Sequence, residues 1–273
     1  MLIQTLAVGL AVGLLMGALG GGGGVLTVPI LVYLLGESAQ QATTGSLVIV
    51  GVAALVGAVS RWRSGEVRLR SGVAFGVLGI PAALVGTAVN HRLDPAVLLL
   101  AFAALILVVA AALLAGTRRR PAADRTPTPA GGTAIAVRVR PSSAVSTALT
   151  VVPTALVIGF LTGLLGVGGG FLVVPALVVL LRMPMASAIG TSLLVIAINS
   201  GASLAARAGV AEFDWSIIVP FTLAAVLATM LGKRVADRFS GDALTRAFAV
   251  LLIAVACFVS VQSLMVAVAA GQW

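Results

Sequence analysis

Charge is what this sequence lacks most. Of its 273 residues only 9% are Asp, Glu, Lys or Arg, against about a quarter in a typical soluble domain. A surface so poor in polar groups is not built to face water. Cysteine is nearly absent as well: Cys257 stands alone, so an internal disulfide and a cysteine metal cluster are both excluded. Its apolar neighbours make it a small packing residue. One histidine is present, His91, beside Arg92 at the end of a predicted helix. The eight acids are Glu37, Glu66, Asp94, Asp124, Glu212, Asp214, Asp237 and Asp242, and all fall in predicted loops or helix ends. No carboxylate is expected inside a membrane span, where one would mark a proton relay or cation site. Neither a metal site nor a cofactor is expected, and no buried nucleophile with its base is visible, so an enzyme is not expected.

What remains is apolar. Hydrophobic residues make up 60% of the chain and the mean hydropathy is +1.18. Continuous apolar stretches near the ~20 residues needed to cross a bilayer recur throughout: Val97–Leu114, Val145–Leu165, Leu193–Ala206, Ile217–Leu231 and Leu244–Leu264. They are rich in Leu and Ala without the strict alternation of barrel strands, so the fold class is all-α and polytopic. The net charge of +9 comes from arginines in the gaps between apolar runs. Such placement suits loops lying against anionic lipid headgroups rather than nucleic acid. The start, Met1-Leu2-Ile3-Gln4-Thr5, lacks the basic residues of a signal peptide, so the first segment is expected to be retained.

The chain repeats itself at an offset of 146 positions, the separation of Gly13 and Gly159. At that offset Gly17 meets Gly163, Gly20 meets Gly166, and Gly22, Gly23 and Gly24 meet Gly168, Gly169 and Gly170. Pro29 meets Pro175, Ser46-Leu47 meets Ser192-Leu193, Arg61 meets Arg207, and Glu66 meets Glu212. The chain therefore divides into a first membrane repeat (residues 1–115), a flexible basic linker rich in Pro, Gly, Thr and Arg (116–146), and a second membrane repeat (147–273).

Each repeat has a long apolar segment, a glycine cluster, and a short apolar piece (Val25–Leu35, Phe171–Leu181) too short to span alone at about 1.5 Å per residue. Three further helices follow: Thr44–Ser60, Val73–Val89 and Pro95–Ala115, matched by Gly190–Ala206, Val219–Val235 and Asp242–Leu264. The loop with Arg61, Arg63, Arg68 and Arg70 is basic, whereas its equivalent carries Arg207 against Glu212 and Asp214; the Lys233-Arg234-Arg238 loop is more basic than its own equivalent. If basic loops face the cytoplasm, equivalent loops lie on opposite sides. The expectation is two inverted repeats, each with a glycine-broken, re-entrant helix and three transmembrane helices, and both termini outside.

The glycine clusters, Gly20 to Gly24 and Gly166-Val167-Gly168-Gly169-Gly170, are the sharpest candidates for a site. Adjacent glycines cost about 1 kcal/mol each in a helix, and unwound backbone is tolerated within a bilayer only inside protein or along a wet cavity. The helix after each break offers free amides and a positive dipole end, which favour an anion. Glycine also permits close helix packing, the role expected of Gly9-Gly13-Gly17 and Gly159-Gly163 at four-residue spacing. A second polar element, Thr43-Thr44-Gly45-Ser46 and Gly190-Thr191-Ser192, reads either as caps opening the next helix or as hydroxyls coordinating an oxyanion. Asn199 and Ser200 extend that path or bond neighbouring helices. The candidate substrate-binding set is Gly22, Gly23, Gly24, Thr43, Thr44, Ser46, Gly168, Gly169, Gly170, Thr191, Ser192 and Asn199. Neutral donors of this kind suit weak, rapid anion binding. Outward movement needs no coupling ion, because an inside-negative potential supplies about 2.3 kcal/mol per charge per 100 mV. Arg61 and Arg207 are expected at the two mouths, attracting anions or snorkelling to headgroups.

The pattern from Gly13 and Gly17 through Pro29 with Ala42 and Ser46-Leu47, repeated from Gly159 and Gly163 through Pro175 with Ala188 and Ser192-Leu193, resembles the TauE/SafE family of sulfite-exporter-like permeases. The resemblance implies transport of sulfite, sulfonates or related organosulfur anions across the cytoplasmic membrane, most simply as export. Gly21 stands where the second half has Val167, so the half-sites need not be equivalent. The partners implied are a small anion and the lipid bilayer. A permease for another oxyanion or a carboxylate, an intramembrane enzyme and a non-transporting membrane subunit are the alternatives.

Overall fold

The computed structural model describes residues 2–90, 104–114, 144–165, 170–206 and 213–269. Ten helices lie among them: α1 (Leu2–Leu19), α2 (Gly22–Tyr33), α3 (Ala39–Trp62), α4 (Leu69–Asn90), α5 (Ala104–Leu114), α6 (Ala144–Leu165), α7 (Gly170–Val179), α8 (Met185–Ala206), α9 (Trp215–Ala236) and α10 (Gly241–Ala269). The described residues contain no strand. Five of the helices contain a stretch long and apolar enough to cross a membrane. On α9 the residues Val219, Leu223, Leu227, Met230 and Leu231 point outward, an apolar stripe that suits hydrocarbon and not water.

Helix starts lie earlier than the sequence predicts. The third helix begins at Ala39, five residues before Thr44, because Ser38 caps it: its hydroxyl accepts from the Gln41 amide while the Gln41 side chain accepts from the Ser38 amide. The α8 helix likewise starts at Met185, and α9 at Trp215 behind an Asp214 cap. Thr43, Thr44, Thr191 and Ser192 therefore sit a turn or more inside their helices, so they cannot cap them. The predicted linker also loses its last three residues to α6, which starts at Ala144; positions 116–143 lie outside the described residues, as does Pro95–Ala103.

The halves exchange partners. Helix α1 of the first half packs along α9 of the second, and α6 of the second packs along α4 of the first. The equivalent helices α3 and α8 pack on each other, as do α2 and α7. Small residues make these approaches possible. Gly9 faces Phe221 and Ala224, Gly13 faces Ala225, and Gly17 faces Thr229, so α1 and α9 run parallel with no room for a Cβ between them. Thr229 fastens the seam, its hydroxyl donating to the carbonyls of Gly13 (3.1 Å) and Ala225 (2.7 Å). In the other pair Gly159 meets Gly79, and Gly86 meets Phe160 and Leu164, again in parallel. Gly45 faces Ile218 and Gly57 faces Thr229, which sets α3 parallel to α9; Gly72 and Gly76 face Leu194 and Ile198, which sets α4 parallel to α8. By contrast Gly51 faces Ser200 and Gly57 faces Leu193, so α3 and α8 are antiparallel. Thus α1, α3 and α9 point one way, and α4, α6 and α8 the other.

Charge follows these directions. The C-terminal ends of α3 and α9 meet, where the Lys233 ammonium donates to the Ser60 carbonyl (3.1 Å) and to the Ser64 hydroxyl. Arg63, Arg68, Arg70, Arg234 and Arg238 cluster in sequence at this end. At the opposite end of the same two helices are Glu37 and Asp214.

Candidate functional site

The first glycine break is shorter than its run of glycines predicts. Only Gly20 and Gly21 leave the helix; Gly22, Gly23 and Gly24 form the first turn of α2. Two effects make helical glycine tolerable here. A first-turn residue has no i−4 bond to weaken, and α2 doubles back along α1 so closely that a Cβ on Gly23 would overlap the Val12 carbonyl and the Met16 side chain. Gly20 makes the reversal with φ of +85°, a conformation that costs other residues roughly 1–2 kcal/mol. Its amide still donates to the Met16 carbonyl at 2.9 Å, closing α1.

The N-cap of α2 is Gly21, which has no side chain to cap the helix. The amides of Gly22, Gly23 and Gly24 are thus left to a ligand or water by position, at the positive end of the helix dipole. The second half supplies the wall. A Cβ on Gly20 would lie 2.8 Å from Ser192 Oγ and 2.9 Å from Val174. The break of one repeat therefore sits against the hydroxyl helix of the other. Sequence reasoning expected hydroxyls beside the break without indicating that they cross between halves.

Ser192 and Thr191 are fully buried. Ser192 donates to the Ile189 carbonyl at 2.8 Å, and its equivalent Ser46 donates to the Thr43 carbonyl at 2.8 Å, the same back-bond in both halves. Each oxygen keeps lone pairs while its proton is held by the helix. Thr191 Oγ1 accepts from the Arg68 amide at 3.1 Å, which ties α8 to the connection after α3. Thr43 and Thr44 lie one turn into α3, Thr44 buried. Asn199 is two turns along α8 from Ser192, and its Oδ1 is buried without a hydrogen-bond partner among the described residues. Ala53 stands at the equivalent place in the first half. Gly170 opens α7; the predicted site residues Gly168 and Gly169 lie outside the described residues. Hence the structure brings Gly20 together with Ser192, leaves Thr43, Thr44 and Ser46 towards the other end of the bundle, and holds Asn199 between.

Arg61 departs from the expected mouth position. It is fully buried, its Nη1 pairing with Glu66 at 2.7 Å and its Nη2 donating to the Gly17 carbonyl at 2.6 Å. A cation on the last carbonyls of α1 complements the negative dipole end next to the break. Arg207 lies outside the described residues.

Glu37 was not singled out by the sequence. It lies in the 34–38 connection between α2 and α3, 92% buried, and neither carboxylate oxygen has a hydrogen-bond partner among the described residues. Burial, then the nearby Asp214 carboxylate, push its pKa up from the usual range. Asp214 itself is held down by the hydroxyl and amide of Ser216. Only the pattern of a lone acid between two apolar helices could have signalled Glu37, and that pattern is equally that of an exposed loop.

Comparison with known proteins is consistent across nearly the whole length. The family model described as "Sulfite exporter TauE/SafE" matches residues 5–259. Two proteins of Xylella fastidiosa, from strains 9a5c and Temecula1, are each 33% identical over 94% of both chains, and each is described as a "probable membrane transporter protein". The "probable membrane transporter protein YunE" of Bacillus subtilis is 23% identical over 93% of this chain and 96% of its own. No solved structure matches.

Proposed function

The chain belongs to the TauE/SafE family of membrane proteins, and from that premise we propose that it is a multi-pass permease of the cell membrane that exports a small sulfur-containing anion such as sulfite or a sulfonate. The observation that carries this reading is the uncapped start of α2 at the glycine break, walled by Ser192 of the other repeat. Such a start holds an oxyanion through its backbone amides, while the nearby Arg61 guanidinium is already engaged by Glu66 and the Gly17 carbonyl.

Helix direction supports an inverted repeat. Equivalent helices α3 and α8 are antiparallel, and α1 and α6 point opposite ways through their partners α9 and α4. The pseudo-two-fold axis then lies across the helices, in the plane of the membrane, as in transporters that alternate access about a central site. With the basic end in the cytoplasm, the Gly20–Ser192 half-site opens inward and the Thr43-Thr44-Ser46 half-site outward. An inside-negative potential drives the anion out at about 2.3 kcal/mol per charge per 100 mV.

Efflux of labelled sulfite and of labelled sulfonates from proteoliposomes tests the proposal, with oxalate and phosphate as competitors, since amides and hydroxyls recognise other small oxyanions and carboxylates too. Sulfite or a sulfonate should leave, faster with an inside-negative potential. Absence of any oxyanion flux from well-folded protein rules the proposal out.

A further inference from the structure

A buried acid with nothing to bond is expensive to keep. Removing an isolated carboxylate from water is so costly that such a group ordinarily takes up a proton. Glu37 is in that position: 92% buried, both oxygens unpartnered among the described residues. Among the described residues, the groups around it offer no positive charge. A Cβ on Gly45 of α3 would lie 3.8 Å from Glu37 Oε2, α9 contributes the apolar Ile218 against the same glycine, and the charged group that reaches Glu37 is the Asp214 carboxylate, of the same sign. The second half has Met183, also buried, at the equivalent position. The acid is therefore not required by the fold that the two halves share.

Its location gives the proton a use. The carboxyl lies beside Gly45, on the turn of α3 that carries Thr43, Thr44 and Ser46 at the acidic end of the bundle. We propose that Glu37 is a proton-binding site linked to anion binding at that cluster, so that proton and anion occupy the outer half-site together. This inference rests on the reading of Thr43, Thr44 and Ser46 as part of an anion path. Ionised, Glu37 repels an incoming oxyanion across a poorly solvated gap; protonated, it removes that repulsion and adds an O–H donor. The proton comes from, and returns to, the aqueous phase at the acidic end. Linkage is reciprocal: whatever the proton adds to anion affinity, the anion adds to proton affinity. Because the proton returns to the phase it came from, the charge carried across is the anion's own, and an inside-negative potential continues to favour its exit. Acidifying the outer face then tightens anion binding there and slows release.

Calorimetric binding of methanesulfonate, whose own charge does not change with pH, to the purified full-length protein tests the linkage. Above the Glu37 pKa, wild-type affinity should fall about tenfold per pH unit, and buffers of different ionisation enthalpy should report one proton taken up per anion bound. Glu37→Gln should bind with no pH dependence and no proton uptake. Asp214→Asn, which keeps a capping oxygen but removes the neighbouring charge, should move the wild-type midpoint to lower pH. Sulfite efflux from proteoliposomes should respond to pH on one face only. If anion binds with the same affinity at every pH in wild type, or Glu37→Gln keeps the wild-type profile, the proton linkage is wrong while the anion-permease reading stands. If methanesulfonate and sulfite both fail to bind folded protein, the anion path and the linkage fall together.

Discussion

Arg61 and Glu37 are a pair of buried charges handled in opposite ways. Arg61 has a counter-ion and a carbonyl, and its guanidinium closes α1 at the glycine break. Removing one partner of such a pair leaves the other charge stranded, at a cost of about 3–5 kcal/mol. Glu66→Gln should therefore lower the thermal stability of the purified protein by an amount of that order. Replacing both residues by Met and Gln should recover much of it, as a double-mutant cycle would measure. Glu37 has no partner, and its folded pKa is raised by burial and by Asp214. A group raised on folding binds its proton more tightly in the native state, so its contribution is intact below the unfolded pKa and is lost as pH rises through the folded value. Melting temperatures of wild type and Glu37→Gln should keep a constant offset in acid and diverge as pH rises from the unfolded to the folded pKa, wild type becoming the less stable, with no further divergence above it. Neither role was legible in the sequence. Both residues sit at the edge of apolar runs, where a charge is usually solvated, and their burial comes from tertiary packing that local sequence does not show.

Among the helices, what the sequence carried was periodicity and spacing. Gly9, Gly13 and Gly17 at four-residue intervals marked a close helix contact, and α1 makes one along α9. The identity of the partner was not readable, because local pattern says that a face is small without saying what lies on it. Helix starts were misplaced for a different reason. The hydroxyls of Thr43-Thr44 and Thr191-Ser192 looked like caps, yet Ser38 with Gln41 forms the actual capping box, a turn upstream. The glycine break was legible in place but not in extent, since packing against α1 keeps Gly22 to Gly24 helical. The contact argument predicts two opposite alanine effects. Gly13→Ala puts a methyl into the Ala225 backbone and should destabilise the protein by about 1–3 kcal/mol. Gly201→Ala on α8 meets nothing within 4 Å and should be neutral or stabilising by up to about 1 kcal/mol through helix propensity. Thermal melts of the two variants in one detergent check both signs.

For the whole molecule, the motif repeated at a constant offset was what pointed to the family, and the family match across residues 5–259 bears that resemblance out. Helix directions follow from contacts between small residues and make a prediction about sides. With Cys257 replaced by Ala, a cysteine at Trp215 stands at the acidic end and one at Arg63 at the basic end. A membrane-impermeant maleimide added to intact cells should label the Trp215→Cys protein and spare Arg63→Cys until the cells are opened. Labelling of both positions from one side would overturn the assigned directions.

The seam between α1 and α9 also has a history in time. The Thr229 hydroxyl reaches the Gly13 carbonyl across 216 positions of chain. At ~5–20 residues per second, synthesis takes about 10–40 s to cover that distance. During that interval the earliest span has left the ribosome with its glycine stripe facing lipid or a temporary companion. The order of assembly is thereby reversed relative to the order of manufacture: α1 waits through the synthesis of seven further described helices before its partner α9 is made, and a chain interrupted in the linker would leave its glycine stripe unmatched.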